Sequence, residues 1–253
     1  MKLFLPKNIY TMILADALKK QNSFELIYKD SSLIAGELAS NTSALGLIPS
    51  MDLINHRNLF VSGKAGVSFD GLLSNSYFYL SQNSGREFGN IYLRGDVSLN
   101  EIILTKVMFE EKYSAKVDIT LDTAKEPDLA NNFLIVGDDN FKSWDFANGL
   151  SFSDLIADIL DLPYVNFIFA SQDKESIEYF NTLVENIDET IEDDINEVLN
   201  SLKIADPAKT FLLENLGSVY YEITQNEIDA LHEIFKVVYY RGILEDMFDI
   251  KVI

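Results

Sequence analysis

Cysteine is absent from the 253 residues, so disulfide staples, thiolate nucleophiles and thiolate metal sites are all excluded. Histidine is nearly absent too: His56 and His232 lie far apart and form no H-E-x-x-H pair. Basic residues are scarce, 20 Lys and Arg against 40 Asp and Glu, and the formal net charge is −20. A surface of that sign repels DNA, RNA and anionic lipid, so neither a nucleic-acid nor a membrane partner is expected. No window of about 20 apolar residues exists, which removes a membrane-spanning helix. The opening MKLFLPKNIY is interrupted by Pro6 and Lys7 too early to be a signal segment. A cytoplasmic protein without metal or cofactor is the expectation.

What the chain does have is apolar matter for a core, with 47% hydrophobic and 12% aromatic residues. Its length suits one large domain or two small ones. The stretch Phe133–Phe141, FLIVGDDNF, organises the reading. Four apolar residues run unbroken into Gly137, as in a strand buried on both faces of a parallel sheet. Asp138, Asp139 and Asn140 then stand at the strand's C-terminal end, where ligands of open α/β sheets bind.

Taken in order, Lys2–Leu5 reads as a strand. Ile9–Lys20 reads as a helix, from Ile9, Met12, Ile13 and Ala17 at helical spacing, with Asn8 as its N-cap. Strands Phe24–Tyr28 and Leu45–Ile48 flank a short helix, Ser32–Ala39, which completes a doubly wound pattern. Leu59–Ser62, Gly66–Phe69 and Ser76–Leu80 follow as strands, and Gln82–Gly89 reads as a hinge. Beyond it come strand Ile91–Leu93, helix Ile102–Tyr113 opened by a Ser98–Glu101 capping box, and strands Ala115–Leu121 and Phe133–Val136. Helix Ser153–Leu160 and strand Pro163–Ala170 close this part. Ser176–Leu202, Pro207–Glu222 and Asn226–Met247 read as amphipathic helices, with the acidic run Glu185–Glu197 a solvated outer face. The expected division is one lobe of residues 1–82 plus 171–253 and a second of 83–170, joined near Ser81–Gly85 and Phe167–Ser171.

Five pieces carry a family resemblance. Leu47-Ile48-Pro49-Ser50 closes the third strand, and Gly71 precedes Ser76-Tyr77-Phe78-Tyr79-Leu80-Ser81. Leu134-Ile135-Val136-Gly137-Asp138 ends the buried strand. Asp145-Phe146 is followed by Leu162-Pro163-Tyr164-Val165 and Phe169-Ala170, and Leu212–Phe235 closes the set. In this order they resemble the menaquinone-biosynthesis enzymes of the futalosine route, most closely the chorismate dehydratase branch. The resemblance implies an α/β, two-lobed fold of the type II periplasmic-binding-protein kind, with an interlobe cleft and C-terminal helices. One departure is plain. Where the family has a hydroxyl-rich run that holds a substrate carboxylate, this chain has Arg94-Gly95-Asp96-Val97-Ser98-Leu99-Asn100.

The expected site follows from that resemblance. Asn8 matches a family asparagine and is the catalytic candidate, an amide that polarises a departing hydroxyl without titrating. Ser76 matches the strand serine, and Ser50 closes the turn after Pro49. Ser98 and Asn100 are the neutral donors left in the altered run, with Arg94 as a charge-assisted substitute. Lys7 and Arg94 flank the two helix starts expected to face each other, and Asp138 lies at the cleft wall. Each has a plainer reading. Asn8 and Ser98 serve as helix caps, Ser50 as a turn residue, Arg94 as a solvated charge, Asp138 and Asp139 as braces of a turn, and Trp144 as packing. The leading function is a lyase that dehydrates chorismate or a related carboxylated ring. The alternative is a non-catalytic binding protein for a small carboxylate. A monomer or a homodimer is expected.

Overall fold

Two mixed sheets divide the chain in the computed structural model, which describes residues 1–21, 24–81, 88–142, 146–202 and 204–253. The expected hinge at Gln82–Gly89 lies largely outside the described residues, as do Trp144 and Asp145. The chain begins with β1 (Lys2–Leu5), α1 (Ile9–Gln21), β2 (Glu25–Tyr28), α2 (Ser31–Ser40), β3 (Leu45–Pro49) and, after a 3-10 turn at Ser50–Ile54, β4 (Phe60–Phe69). The second sheet's segments are β5 (Ser76–Tyr79), β6 (Asn90–Gly95), α3 (Leu99–Tyr113), β7 (Asp118–Leu121), β8 (Asn132–Val136), α4 (Asp139–Lys142) and β9 (Leu150–Ser151). The return runs through α5 (Phe152–Leu160), β10 (Tyr164–Ser171), α6 (Lys174–Asn181), α7 (Ile187–Ser201), α8 (Asp206–Asn215), β11 (Val219–Glu222), α9 (Gln225–Tyr240) and β12 (Lys251–Val252).

The first sheet has the order β2-β1-β3-β10-β4-β11, with β12 on β4, and the second β7-β6-β8-β5-β9. The two share one plan. β2, β1 and β3 are parallel, and β10 lies antiparallel beside β3. Likewise β7, β6 and β8 are parallel, and β5 lies antiparallel beside β8. In each lobe the antiparallel strand arrives from the other lobe's part of the chain. This repeated order with exchanged strands is the type II periplasmic-binding-protein fold.

The exchanges fall earlier in the chain than the sequence suggests. They occur at Asp70–Asn75 and between β9 and β10, so β5 belongs to the second sheet and β10 to the first. Both strands are short runs of β formers buried on both faces, and hydrophobicity alone does not say which sheet such a run joins. Other elements differ as well: Ser176–Leu202 is two helices, α6 and α7, and α9 ends at Tyr240. Phe60–Phe69 form one strand with register shifts against β10 instead of two short ones. Within it Gly66 faces the Phe167 carbonyl so closely that a Cβ would sit 2.7 Å from it. The expected helix over Pro207–Glu222 ends at Asn215, and β11 follows. Val219 and Tyr221 are buried while Tyr220 is exposed, the two-residue period of a strand.

α7 shows the acidic run as an outer face. Ile187, Ile191, Ile195, Val198 and Leu199 are buried on one side, against α1. Full burial of such side chains contributes about 1.5–3 kcal/mol each. The exception is Asp188, which turns inward to accept from the Tyr221 and Glu222 amides at 2.9 and 3.3 Å.

Candidate functional site between the lobes

The C-terminal ends of β1, β2 and β3 face those of β6 and β8, and side chains bridge the gap at three places. Asp138, after β8, accepts from the Ile9 amide at the start of α1 at 2.8 Å. Asp96, after β6, accepts from the Ser31 amide at 2.9 Å and from its hydroxyl at 2.5 Å, at the start of α2. Asn100, in the first turn of α3, accepts from the Met51 amide at 2.9 Å and donates to the Asn166 carbonyl of β10 at 2.7 Å. Helix N-termini carry partial positive charge and unpaired N–H groups, so carboxylates settle there. The second lobe thus presents its own anions to the first lobe's helix starts. Burial raises the Asp96 carboxyl above its ordinary range, and the Ser31 donors oppose that rise.

The expected site residues fall into two groups. Asn8, Ser50, Ser76, Ser98, Asn100 and Asp138 are brought to the lobe junction. The Asn8 side-chain oxygen caps α1 by accepting from the Thr11 amide at 2.9 Å, while its amide nitrogen is buried with no protein partner. Ser50 lies 3.4 Å from the Asn100 oxygen, and Ser76 donates to Glu101 at 3.3 Å. Ser98 and Glu101 form the full capping box, so both are engaged at the helix start. Asp138 holds Ile9 and, at 3.2 Å, Lys142. The turn behind it is braced by Asn140, whose amide donates to the Ile135 and Gly137 carbonyls at 2.9 Å each. Arg94 stands apart: its guanidinium pairs with Asp122 at 2.6 Å and donates to the Lys125 carbonyl at 3.3 Å. It is therefore not the open cation expected at the cleft. The turn after it is built on Gly95 at φ +106°, where a Cβ would sit 2.0 Å from the Val136 carbonyl oxygen. Lys7 is exposed in the loop after β1 and has no ion pair among the described residues.

Four functional candidates escape a sequence reading. Asp52, in the 3-10 turn after β3, is 4% exposed, and burial followed by the nearby Glu101 charge pushes its carboxyl up to about 7. Glu101 is buried completely and raised by that burial, against the pull of its Ser98 bonds. Asn166 and Tyr164 on β10 are buried, and the Asn166 amide nitrogen and the Tyr164 hydroxyl have no protein partner. The signal for Asn166 was present: an amide inside the otherwise apolar run PYVNFIFA. A surface cavity of about 390 Å³ lies beside the Asp96–Ser31 bridge, but Asp30, Asp96 and Asp122 line it, so it repels anions.

The arrangement defines a class, the two-lobed periplasmic-binding-protein fold, with most of the expected site residues where the strand ends of both lobes meet. No family model matches the chain, and no curated protein does. Solved structures do. Protein AF1704 from Archaeoglobus fulgidus is similar at 12% identity over 96% of this chain and 97% of its own, with a TM-score of 0.63. The alkanesulfonate-binding protein SsuA from Xanthomonas axonopodis pv. citri, solved bound to MOPS, is similar at 11% identity over 100% and 97%, with a TM-score of 0.61. The periplasmic aliphatic sulphonate binding protein SsuA from Escherichia coli follows at 10% identity over 99% and 90%, with a TM-score of 0.58. These likenesses establish the fold. Among the described residues no helix is long and apolar enough to cross a membrane.

Proposed function

We propose that the interlobe crevice binds a small carboxylated ring and that the protein is a cytoplasmic lyase of menaquinone biosynthesis, dehydrating chorismate or a close relative. One observation carries this reading. The Asn8 amide nitrogen, in a residue 3% exposed, has no protein partner, at the position where the family resemblance puts a catalytic asparagine. A buried N–H donor left without an acceptor costs about 1–3 kcal/mol, so a ligand oxygen is the natural partner. The Asn8 nitrogen would donate to the departing hydroxyl. The substrate's own enolpyruvyl carboxylate would take the ring proton and pass it to the leaving oxygen, so that water departs, and aromatisation would drive the step. The protein mainly orients and desolvates. Entry requires the lobes to part, breaking the Asp138–Ile9 and Asp96–Ser31 bridges, and the freed Ile9 amide is then available to a ligand carboxylate.

Lys7 and Arg94 separate cleanly under this reading. Lys7→Ala is expected to weaken chorismate binding about tenfold, equivalent to about 1.4 kcal/mol. Arg94→Ala is expected to leave it within about twofold, because that guanidinium is already held by Asp122. Titration calorimetry on both variants checks this. Equal losses would move the anion contact toward Arg94.

A second reading, a non-catalytic receptor or sensor for a small carboxylate, is favoured by the altered run. Ser98 is bound into the capping box and Asn100 into the lobe bridge, so neither is free to hold a substrate as the family hydroxyls do. The deciding assay follows chorismate loss and the appearance of an aromatic enolpyruvyl benzoate. Turnover supports the lyase, and binding without turnover supports the receptor. Absence of both rejects chorismate as the ligand.

A further inference from the structure

We propose that Asp52 enters the ligand complex as the neutral acid and donates its O–H to an oxygen of the bound anion, so that binding takes up a proton. The proposal rests on the interlobe crevice being the ligand site, but not on any reaction taking place there.

Three carboxyl groups stand at this junction, and they differ in how they are satisfied. Asp138 has the Ile9 amide and Lys142. Glu101 has the Ser98 amide at 2.9 Å, the Ser98 hydroxyl at 2.7 Å and Ser76 at 3.3 Å. Asp52 accepts no hydrogen bond on its side chain and forms no ion pair among the described residues, although it is 4% exposed. The turn that carries it packs on α3, β10 and β3. From α3 the titratable neighbour is Glu101, whose charge opposes a second one. From β10 it is Tyr164, whose proton is held by burial and then by the Glu101 charge. β3, LGLIP, offers none. Arg57, just beyond the turn, donates to the Ile54 carbonyl and pairs with Asp246 on the surface.

A largely buried carboxylate with no protein donor and a like charge beside it is the one that changes protonation state. Burial and Glu101 together bring the Asp52 carboxyl to about 7. The neighbouring unspent groups complete the picture. The Asn8 and Asn166 nitrogens are buried and unpartnered, and the Tyr164 hydroxyl, beside the Asn100 side chain, is buried as well. Asn8 ends the loop after β1, Asp52 follows β3, and Asn166 lies on β10 next to β3, so the three strand ends are adjacent in one sheet. With Asp52 protonated, every unspent group there can donate, which is what an incoming carboxylate requires. With Asp52 ionised, it repels that carboxylate from within the site. A protonated carboxyl used as a hydrogen-bond donor is an established device of apolar active sites.

The linkage has a definite sign. Protonated Asp52 is the binding form, so affinity for an anion falls as pH rises through its midpoint. The test is calorimetric titration of the full chain with chorismate at pH 6 and pH 8, each in two buffers of different ionisation enthalpy. Affinity is expected to drop about tenfold between those values, with nearly one proton taken up at pH 8. Asp52→Asn keeps a donor in place and is expected to bind with an affinity independent of pH and with no proton uptake. Wild-type binding that is flat with pH, or a pH dependence that persists in Asp52→Asn, overturns the proposal. If chorismate does not bind at either pH, the lyase reading fails by itself. The Asp52 assignment is then decided on the free protein by carbon-13 NMR of the aspartate carboxyls, with Asp52→Asn identifying the resonance. A midpoint near 7 sustains it, and a midpoint in the ordinary carboxylate range rejects it.

Discussion

Asn8→Ala is expected to lower chorismate turnover by about two to three orders of magnitude, the usual effect of deleting one preorganised donor at a reacting oxygen. The variant also removes a helix cap, because the Asn8 oxygen accepts from the Thr11 amide. Cap loss costs about 1 kcal/mol, or about 2–4 °C of melting temperature for a chain of this size. The two roles separate with Asn8→Asp. Aspartate keeps the capping oxygen, and the helix N-terminus favours its charge while burial and the neighbouring Asp138 oppose it, so any stability loss is expected to be no larger than that of Asn8→Ala. It lacks the amide nitrogen, so turnover is expected to fall as far as in Asn8→Ala. Turnover in Asn8→Asp within about tenfold of wild type, against the usual loss for such a donor, would reduce Asn8 to a cap. Melting curves on both variants show that any loss is not unfolding.

Asn100→Ala is expected to be the most destabilising substitution at the lobe junction. Its side chain satisfies the buried Met51 amide and the Asn166 carbonyl at once, one on each side of β3's end. Alanine leaves both without a partner. Each orphaned buried group costs about 1–3 kcal/mol, so about 3 kcal/mol in total is expected. That corresponds to about 6–12 °C by scanning calorimetry. Asn100→Asp keeps the acceptor for Met51 but places a third carboxyl beside Asp52 and Glu101. Its penalty is therefore expected to grow from pH 5 to pH 8, as Asp52 ionises. A loss in Asn100→Ala below about 1 kcal/mol, under the cost of one orphaned group, would mean that the two lobes are not joined through this residue.

Much of the fold was legible because hydrophobic period and caps are local. The Phe133–Val136 run became a fully buried strand, parallel to β6 on one side and antiparallel to β5 on the other, and the Ser98–Glu101 box opened α3. Ser151 caps α5, accepting from the Asp154 amide at 3.1 Å. What escaped is long-range. Nothing in SYFYL or PYVNFIFA says that these strands change sheets, since pairing is decided by the partner's edge. The same holds at the site. Asp96 and Asp138 look like turn residues in sequence, and only the closed lobes show them on the helix starts of α2 and α1. Asp52 gives no signal at all, because its importance lies in the donors it does not receive. Arg94 was misjudged for the complementary reason: its partner Asp122 lies 28 residues away on the neighbouring strand's end.

The most direct measurement is a crystal structure of the full chain with chorismate bound. The expected result is ligand density between the start of α1 and the Ser50–Ile54 turn. One ligand oxygen should lie about 3 Å from the Asn8 side-chain nitrogen, an ordinary hydrogen-bond distance. Ligand density at another surface, with the Asn8 nitrogen still uncontacted, would contradict the interlobe site.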